Sequence, residues 1–331
     1  MTVPGQPPGV PPAPTGLGLT QEDRSLRVSW RGRELLRYVY RPWDPGVESP
    51  KPYFHPIRTI GGDLVSLYRP HDHVWHKGIA WSLSNVGAEN FWGGPTYLRG
   101  REYVQLDNNG TMVHDGFDAV GVRDGLVRVD ERLTWHTRSG RDVIAERRQF
   151  VVTALPDGVP DARTGAVPDV QAWQLAFATT MRNTSGATIP IGSPTTQGRE
   201  NAGYSGLFWR GPRSFTGGLV VMPDAEGGDD LMGRRGPWLA FVGRHDGHGR
   251  ASTVLMRDDP GNVGHPTRWF VRNGMYACVC PAPFFDHEYE LADGASLTLR
   301  YDIVVADGAL DATGAARLAH RAGTLDVTAA P

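Results

Sequence analysis

Leu126-Val127-Arg128-Val129-Asp130-Glu131-Arg132-Leu133-Thr134-Trp135-His136-Thr137 and Asp142-Val143-Ile144-Ala145-Glu146-Arg147-Arg148-Gln149-Phe150-Val151-Val152-Thr153, separated by Arg138-Ser139-Gly140-Arg141, decide the fold class. Both segments alternate with period two, the spacing that sends successive side chains to opposite faces of a strand. Serine and glycine between them suit a turn, so the pair predicts a hairpin. The same alternation recurs at Trp173 to Arg182, Gly218 to Met222, Trp238 to Gly243, Ser252 to Arg257 and Ser296 to Val305. One helix is expected near the C-terminus. Asp311 caps Ala312 to Arg321, Leu310, Ala315, Leu318 and Ala319 form its apolar stripe, and Gly323 ends it. Many strands with a single terminal helix point to an all-β sandwich or barrel rather than a βαβ fold.

The 331 residues suffice for one large β domain. Residues 1–18, rich in proline and glycine, read as a disordered tail, 19–310 as the domain, 311–323 as the helix and 324–331 as a second tail. The stretch Pro156 to Asp169 reads as a surface insertion or a domain boundary, and the similar strand patterns on either side favour the insertion. A net charge of -2 with no lysine or arginine block offers no footprint for nucleic acid or an anionic membrane, which leaves small uncharged or weakly charged ligands. No secretory signal and no apolar run of roughly 20 residues is seen, so a cytoplasmic location is expected. Cys278 and Cys280 lie two apart in an apparent strand, on one face and about 6.6–7 Å apart, which suits buried free thiols better than a disulfide.

Chemistry concentrates in Pro70-His71-Asp72-His73-Val74-Trp75-His76-Lys77-Gly78, which holds three of the 11 histidines. Neither strand nor helix spacing brings all three imidazoles to one side, so they act together only on a loop. Gly61 to Arg69 reads as a strand ending at Pro70, and Ile79 to Val86 alternates again, which places the histidines between two strands. Other chemistries fail on spacing. Gly203-Tyr204-Ser205-Gly206-Leu207 lacks the last glycine of a nucleophile elbow, and no phosphate-binding glycine motif follows a strand, so no nucleotide cofactor is implied. His71-Asp72-His73 matches neither the facial triad nor the cupin pattern.

Lys51-Pro52-Tyr53, the histidine loop, Asn90-Phe91-Trp92-Gly93, Gly198-Arg199-Glu200-Asn201-Ala202-Gly203-Tyr204, Gly206-Leu207-Phe208-Trp209-Arg210-Gly211, His265-Pro266-Thr267-Arg268-Trp269-Phe270-Val271-Arg272 and Leu299-Arg300-Tyr301 together resemble the bacterial family called "methane oxygenase PmoA". The resemblance covers roughly residues 25 to 308. It implies a soluble β-rich protein similar to the large antiparallel supersandwich of galactose mutarotase and related sugar enzymes, with family members often encoded beside sugar-metabolism genes.

A sugar site needs aromatic faces for the apolar side of a pyranose and polar side chains for its hydroxyls. Trp75, Trp92, Trp209 and Trp269 are candidate platforms, and Arg58, Arg210, Arg268 and Asn201 candidate hydrogen-bonding groups. Tryptophans in a sandwich also serve as core, and arginines beside strands are often solvated. His73 and His76, with Glu200, are the candidate acid/base groups. His71, His73 and His76 alternatively hold one divalent metal ion with an open coordination position. His265 and His287 are weaker candidates. Three functions follow: a carbohydrate-modifying enzyme of the epimerase or lyase type, a non-catalytic sugar-binding partner of a sugar oxidoreductase, and a metal-dependent oxygenase. The residues do not choose an oligomeric state.

Overall fold

A computed structural model describes residues 16–159, 170–323 and 327. All seven alternating segments form strands, at Leu126–His136, Asp142–Val159, Val170–Asn183, Leu219–Met222, Trp238–Arg244, Ala251–Asp258 and Ser296–Asp307. The expected hairpin pairs Val127 with Val152 through to His136 with Asp142. Its turn is closed by the Gly140 amide donating to the Thr137 carbonyl at 2.9 Å, with Gly140 at φ 84, a left-handed conformation that glycine adopts without strain. With Ala225–Gly227 at one edge and Thr111–Arg123 at the other, these strands build a nine-stranded antiparallel sheet. Asp142–Val159 and Val170–Asn183 are paired neighbours in it, so the stretch Pro156 to Asp169 connects two strands of one sheet. Residues 160–169 lie outside the described residues, as do the tail expectations at 1–15, 324–326 and 328–331. The first strand begins at Leu17, inside the segment read as tail.

A second sheet has eight strands in the order Leu17–Gln21, Ser25–Trp30, Arg33–Val39, Tyr53–Ile57, Ile79–Ser82, Gly206–Arg210, Cys278–Ala282 and Arg268–Arg272. The two sheets pack face to face. Tyr38 and Phe54 of the second sheet meet Phe150 of the first at ring-centroid distances of 4.9 and 5.1 Å, and Trp209 meets Phe241 at 5.3 Å. The protein is therefore an all-β antiparallel sandwich. The alternation of Leu126–His136 includes Glu131 among its inward residues, and this buried carboxylate accepts from the Tyr38 hydroxyl and lies 2.6 Å from His114 Nδ1. Partnering of this kind is what makes a buried charge tolerable.

Covering layers lie outside both sheets. The helix Ala312–Arg321 starts where expected, its Asp311 cap accepting from the Gly314 amide at 2.8 Å, and Ala315, Leu318 and Ala319 pack on the outer face of the nine-stranded sheet. Among the described residues no helix is long and apolar enough to cross a membrane. On the eight-stranded sheet, Ile79–Ser82, Gly206–Arg210 and Cys278–Ala282 are buried at every position because loops cover their outer face. Cys278 and Cys280 are free and buried there, as expected. Gly61 to Arg69 is not the strand that its alternation predicts. It touches its neighbours only through isolated bridges, Arg58 with Leu64 and Tyr68 with Lys77, because its amides are spent singly on Ile57, Arg210 and His76.

Phe150 sits between Tyr38 and Phe54 at the centre of this interface. Phe150→Ala is expected to cost about 3–5 kcal/mol in urea unfolding, whereas a cost below about 1 kcal/mol would show that the sheets do not pack through this ring.

Candidate functional site

The histidine loop is held at both ends. The Arg69 amide donates to the His76 carbonyl and the Gly78 amide to the Leu67 carbonyl, both at 2.9 Å. Between them two turns follow each other, closed by His73 onto Pro70 at 3.0 Å and by His76 onto His73 at 2.9 Å. Gly78 is at φ 67, and a Cβ there would lie 2.2 Å from the Phe54 carbonyl oxygen, so only glycine fits. Beneath the loop, the buried Glu48 carboxylate accepts from Arg69 Nε at 3.0 Å and Nη2 at 2.6 Å, and from Lys77 Nζ. Asp44 accepts from the same Lys77 at 2.8 Å and from the Tyr68 hydroxyl at 3.0 Å. Burial pushes the Glu48 carboxyl up, yet the hydrogen bonds and charges of Arg69 and Lys77 outweigh it and hold the group below its ordinary value. Lys51 joins this cluster, donating to the carbonyls of Glu48, Ser49 and Trp92 at 3.2, 3.0 and 2.8 Å. Burial, helped by the charge of Lys77, brings its ammonium down to about 7.

On this base the His73 and His76 rings stack, 4.8 Å apart and 16° from parallel. His76 is buried and packs on Phe208 at 4.5 Å. Desolvation, with the charges of His73, Arg210 and Lys51, holds it well below the ordinary histidine value, so it is neutral near pH 7. Arg210 Nη1 stands 3.5 Å from His76 Nδ1, the outer limit of a hydrogen bond and too long to fix the tautomer. His73 Nδ1 lies 3.0 Å from Asp72 Oδ2. Burial pushes Asp72 up, but hydrogen bonds from His73, its own amide and Arg213, with the charge of Arg210, hold it well below the carboxylate range. A charged Asp72 thus orients His73, which lies against a neutral His76.

Both imidazoles line a cleft of about 380 Å³ on the outer face of the eight-stranded sheet. Phe208 and Phe270 supply apolar lining from that sheet, and Trp75, Trp92, Tyr204 and Tyr276 come from covering loops. Trp92 packs on Tyr204 at 4.6 Å, and the Tyr204 hydroxyl meets that of Tyr103 at 2.7 Å. Burial raises the Tyr204 and Tyr276 hydroxyls above their ordinary value, so both stay protonated. A second cleft of about 390 Å³, between Ser214 to Leu219 and Asp311, has no histidine and no aromatic wall.

Of the residues expected from sequence, His73, Trp75, His76 and Trp92 line the cleft, and Arg210 lies against it, stacked over Tyr276 at 3.7 Å. The others do not. His71 turns to Arg213 at 3.0 Å, so His71, His73 and His76 do not converge, and among the described residues no three histidine, cysteine, aspartate or glutamate side chains are placed to hold a metal. Glu200 is exposed on a turn and is not among the residues that line the cleft. Asn201 is exposed at φ 51, and its carbonyl accepts from Arg272 at 3.4 Å. Arg58 donates to the Gly62 carbonyl at 3.2 Å, and Arg268 pairs with Asp286 at 2.9 Å. Trp209 and Trp269 are core, their indoles donating to Val65 and Gly236 carbonyls at 2.8 Å. The strand period explains both. Phe208 and Phe270, one residue away, take the outer face. His265 and His287 pair with Asp258 and Asp286 outside the cleft. Sequence reasoning missed Tyr103, Arg199, Tyr204, Phe208, Phe270, Arg272 and Tyr276, although all but Tyr103 and Tyr276 stand inside the motifs quoted above.

Comparison with known proteins adds a family. Residues 25–320 match a family of unknown function, DUF6807, and the chain belongs to it. No curated protein matches. Solved structures that resemble the chain include the GH36 α-galactosidase AgaB from Geobacillus stearothermophilus, with 9% identity and a TM-score of 0.40 over 88% of this chain and 41% of that one. A variant of the GH36 α-galactosidase AgaA from the same organism, in complex with raffinose, gives 10% identity and a TM-score of 0.35 over 91% and 42% of the two chains. The α-galactosidase of Lactobacillus brevis gives 9% and 0.35 over 88% and 39%. The chain spans about two fifths of the length of these enzymes.

The depressed histidines make stability depend on pH. Burial, with the charge of Arg58, brings His55 down to about 4, and His76 is lowered as well. The unfolded chain takes up protons near 6.5 that these folded groups refuse. Their contribution is therefore complete above that pH and is lost as pH falls towards about 4. The urea midpoint is expected to drop between about pH 7.5 and pH 5, and the drop to shrink in a His55→Asn/His76→Asn double variant. An identical drop in both proteins would contradict the assignment.

Proposed function

We propose that the cleft is the active site of a carbohydrate-modifying enzyme of the epimerase or lyase class. In this reading His76 takes a proton from a sugar carbon or hydroxyl, and His73, oriented by Asp72, returns one. The observation that carries it is the stack of a neutral buried imidazole on a carboxylate-held imidazole in one cleft. A base must be unprotonated to act, and the burial of His76 keeps it so.

The cleft walls support the carbohydrate class. Trp75, Trp92 and Tyr276 line the cleft with aromatic surface suited to the apolar side of a pyranose, and Tyr103, Arg199 and Arg272 offer donors to its oxygens. The volume of about 380 Å³ suits a small ligand rather than a polymer. The motif resemblance to the PmoA-like group, whose members lie beside sugar-metabolism genes, agrees with this class. Glu200 has no part in the mechanism, since it stands outside the cleft.

Incubating the full chain with a panel of hexoses, keto-sugars and sugar acids in deuterated water, and following exchange of carbon-bound hydrogen by NMR, tests the proposal. One sugar should exchange, and His76→Ala and His73→Ala should each slow it by about 10²- to 10⁴-fold. Exchange that is unchanged in both variants would overturn the histidine roles, and binding with neither exchange nor conversion of the sugar would make the protein a sugar-binding module.

A further inference from the structure

The lining of the cleft is one-sided in charge. Arg199 and Arg272 line it beside His73 and His76, and no aspartate or glutamate does. Arg210 lies beneath, fully buried, its guanidinium over the Tyr276 ring at 3.7 Å and its Nε without a hydrogen-bond partner. Among the described residues, Arg199 and Arg272 show no carboxylate partner. Arg199 Nη1 meets the Tyr103 hydroxyl, and Arg272 Nη2 donates to the Asn201 carbonyl at 3.4 Å. The carboxylates of the neighbourhood are engaged elsewhere. Asp72 holds His73 and Arg213 and pairs with Arg210 at 3.6 Å, and Asp229 accepts from the amides of Asn273 and Gly274 at 2.6 and 3.3 Å.

In a chain of net charge -2, two half-buried arginines facing one aromatic cleft without an acidic partner call for an anion from outside. Guanidinium forks match carboxylate and phosphate oxygens in pairs, and apolar walls strengthen such contacts by excluding water. Phe270 already lies under Arg272, at 5.6 Å from the guanidinium to the ring centre, and Tyr103 under Arg199 at 4.6 Å. These stacks hold the two planar groups in place before a ligand arrives.

We infer that the ligand of this cleft is an anionic sugar, a pyranose-sized ring whose carboxylate or phosphate group is received by Arg199 and Arg272. The inference rests on the sugar reading above and narrows it to acidic members of the class. It also gives the arginines a charge partner, which a neutral hexose does not supply. The ring lies against Trp75, Trp92 and Tyr276, and the anionic group is directed to the arginine side.

Isothermal titration of the full chain tests this with glucose, galactose and mannose, their uronates and their 6-phosphates. One anionic series should bind about tenfold or more tighter than the parent sugars, and whichever series wins identifies the anion as carboxylate or phosphate. Arg272→Gln and Arg199→Gln should each remove most of that preference, weakening the anionic sugar several-fold more than the parent sugar, and Arg272→Lys should restore part of it. Equal binding of neutral and anionic sugars, or a preference untouched in both glutamine variants, would overturn the inference and leave the sugar reading standing. Failure of every sugar in the panel to bind would overturn both.

Discussion

Glu48 receives Arg69 from one end of the histidine loop and Lys77 from the other, and the loop between them has no regular structure of its own. Its shape therefore depends on a carboxylate more than 20 residues earlier in the chain. Burying such ions costs several kcal/mol each, and removing one partner of a buried pair typically costs about 3–5 kcal/mol. The cluster offsets part of that cost by sharing, since Asp44 Oδ1 accepts from Lys77 and Tyr68 and Lys51 finds three carbonyl oxygens, while Asp44 Oδ2 is buried without a partner. One of those carbonyls belongs to Trp92, so two walls of the cleft hang from the same group of charges.

The low dielectric that makes this cluster expensive also sorts the protonation states above it. Asp72, reached by Arg213 and partly open to water, stays charged. His73 takes orientation from it, and His76, deeper and surrounded by the positive charges of Arg210 and Lys51, stays neutral. Charged Asp72, His73 and neutral His76 follow one another inward, and the buried member of the stack distinguishes these imidazoles from histidines that merely pair with an acid at the surface, as His287 does with Asp286.

Much of the fold was legible in the chain, and the reasons for the failures are physical. The seven alternating segments that build the nine-stranded sheet are all strands, whereas Gly61 to Arg69, read as a strand as well, forms only isolated bridges. Thr111–Arg123 escaped notice because an edge strand half-open on both sides needs no alternation and tolerates Gly116, Gly121, Asp115 and Asp118. Gly206–Arg210 and Arg268–Arg272 hid the facing of their aromatics, since neither strand shows a clear polar face. Trp209 and Trp269 therefore looked like platforms while Phe208 and Phe270 hold that place. The histidine density marked the right loop. Which imidazoles meet was not legible, because it depends on Arg213 drawing His71 aside, a contact across 142 residues. The place of Arg272 in the cleft likewise follows from sheet order, which sets Arg268–Arg272 next to Cys278–Ala282 and so one strand away from Gly206–Arg210.

The Glu48 clamp fixes the loop that keeps His76 buried and neutral in the cleft. Nitrogen-15 NMR of the His76 imidazole, followed from about pH 5 to 8 in the full chain and in Glu48→Ala, tests this dependence. A neutral ring with one protonated nitrogen is expected across this range in the parent protein, and a titration returning towards about 6.5 once the clamp is gone. A parent His76 that titrates near the ordinary value, or a ring with the same shifts in both proteins, would contradict it.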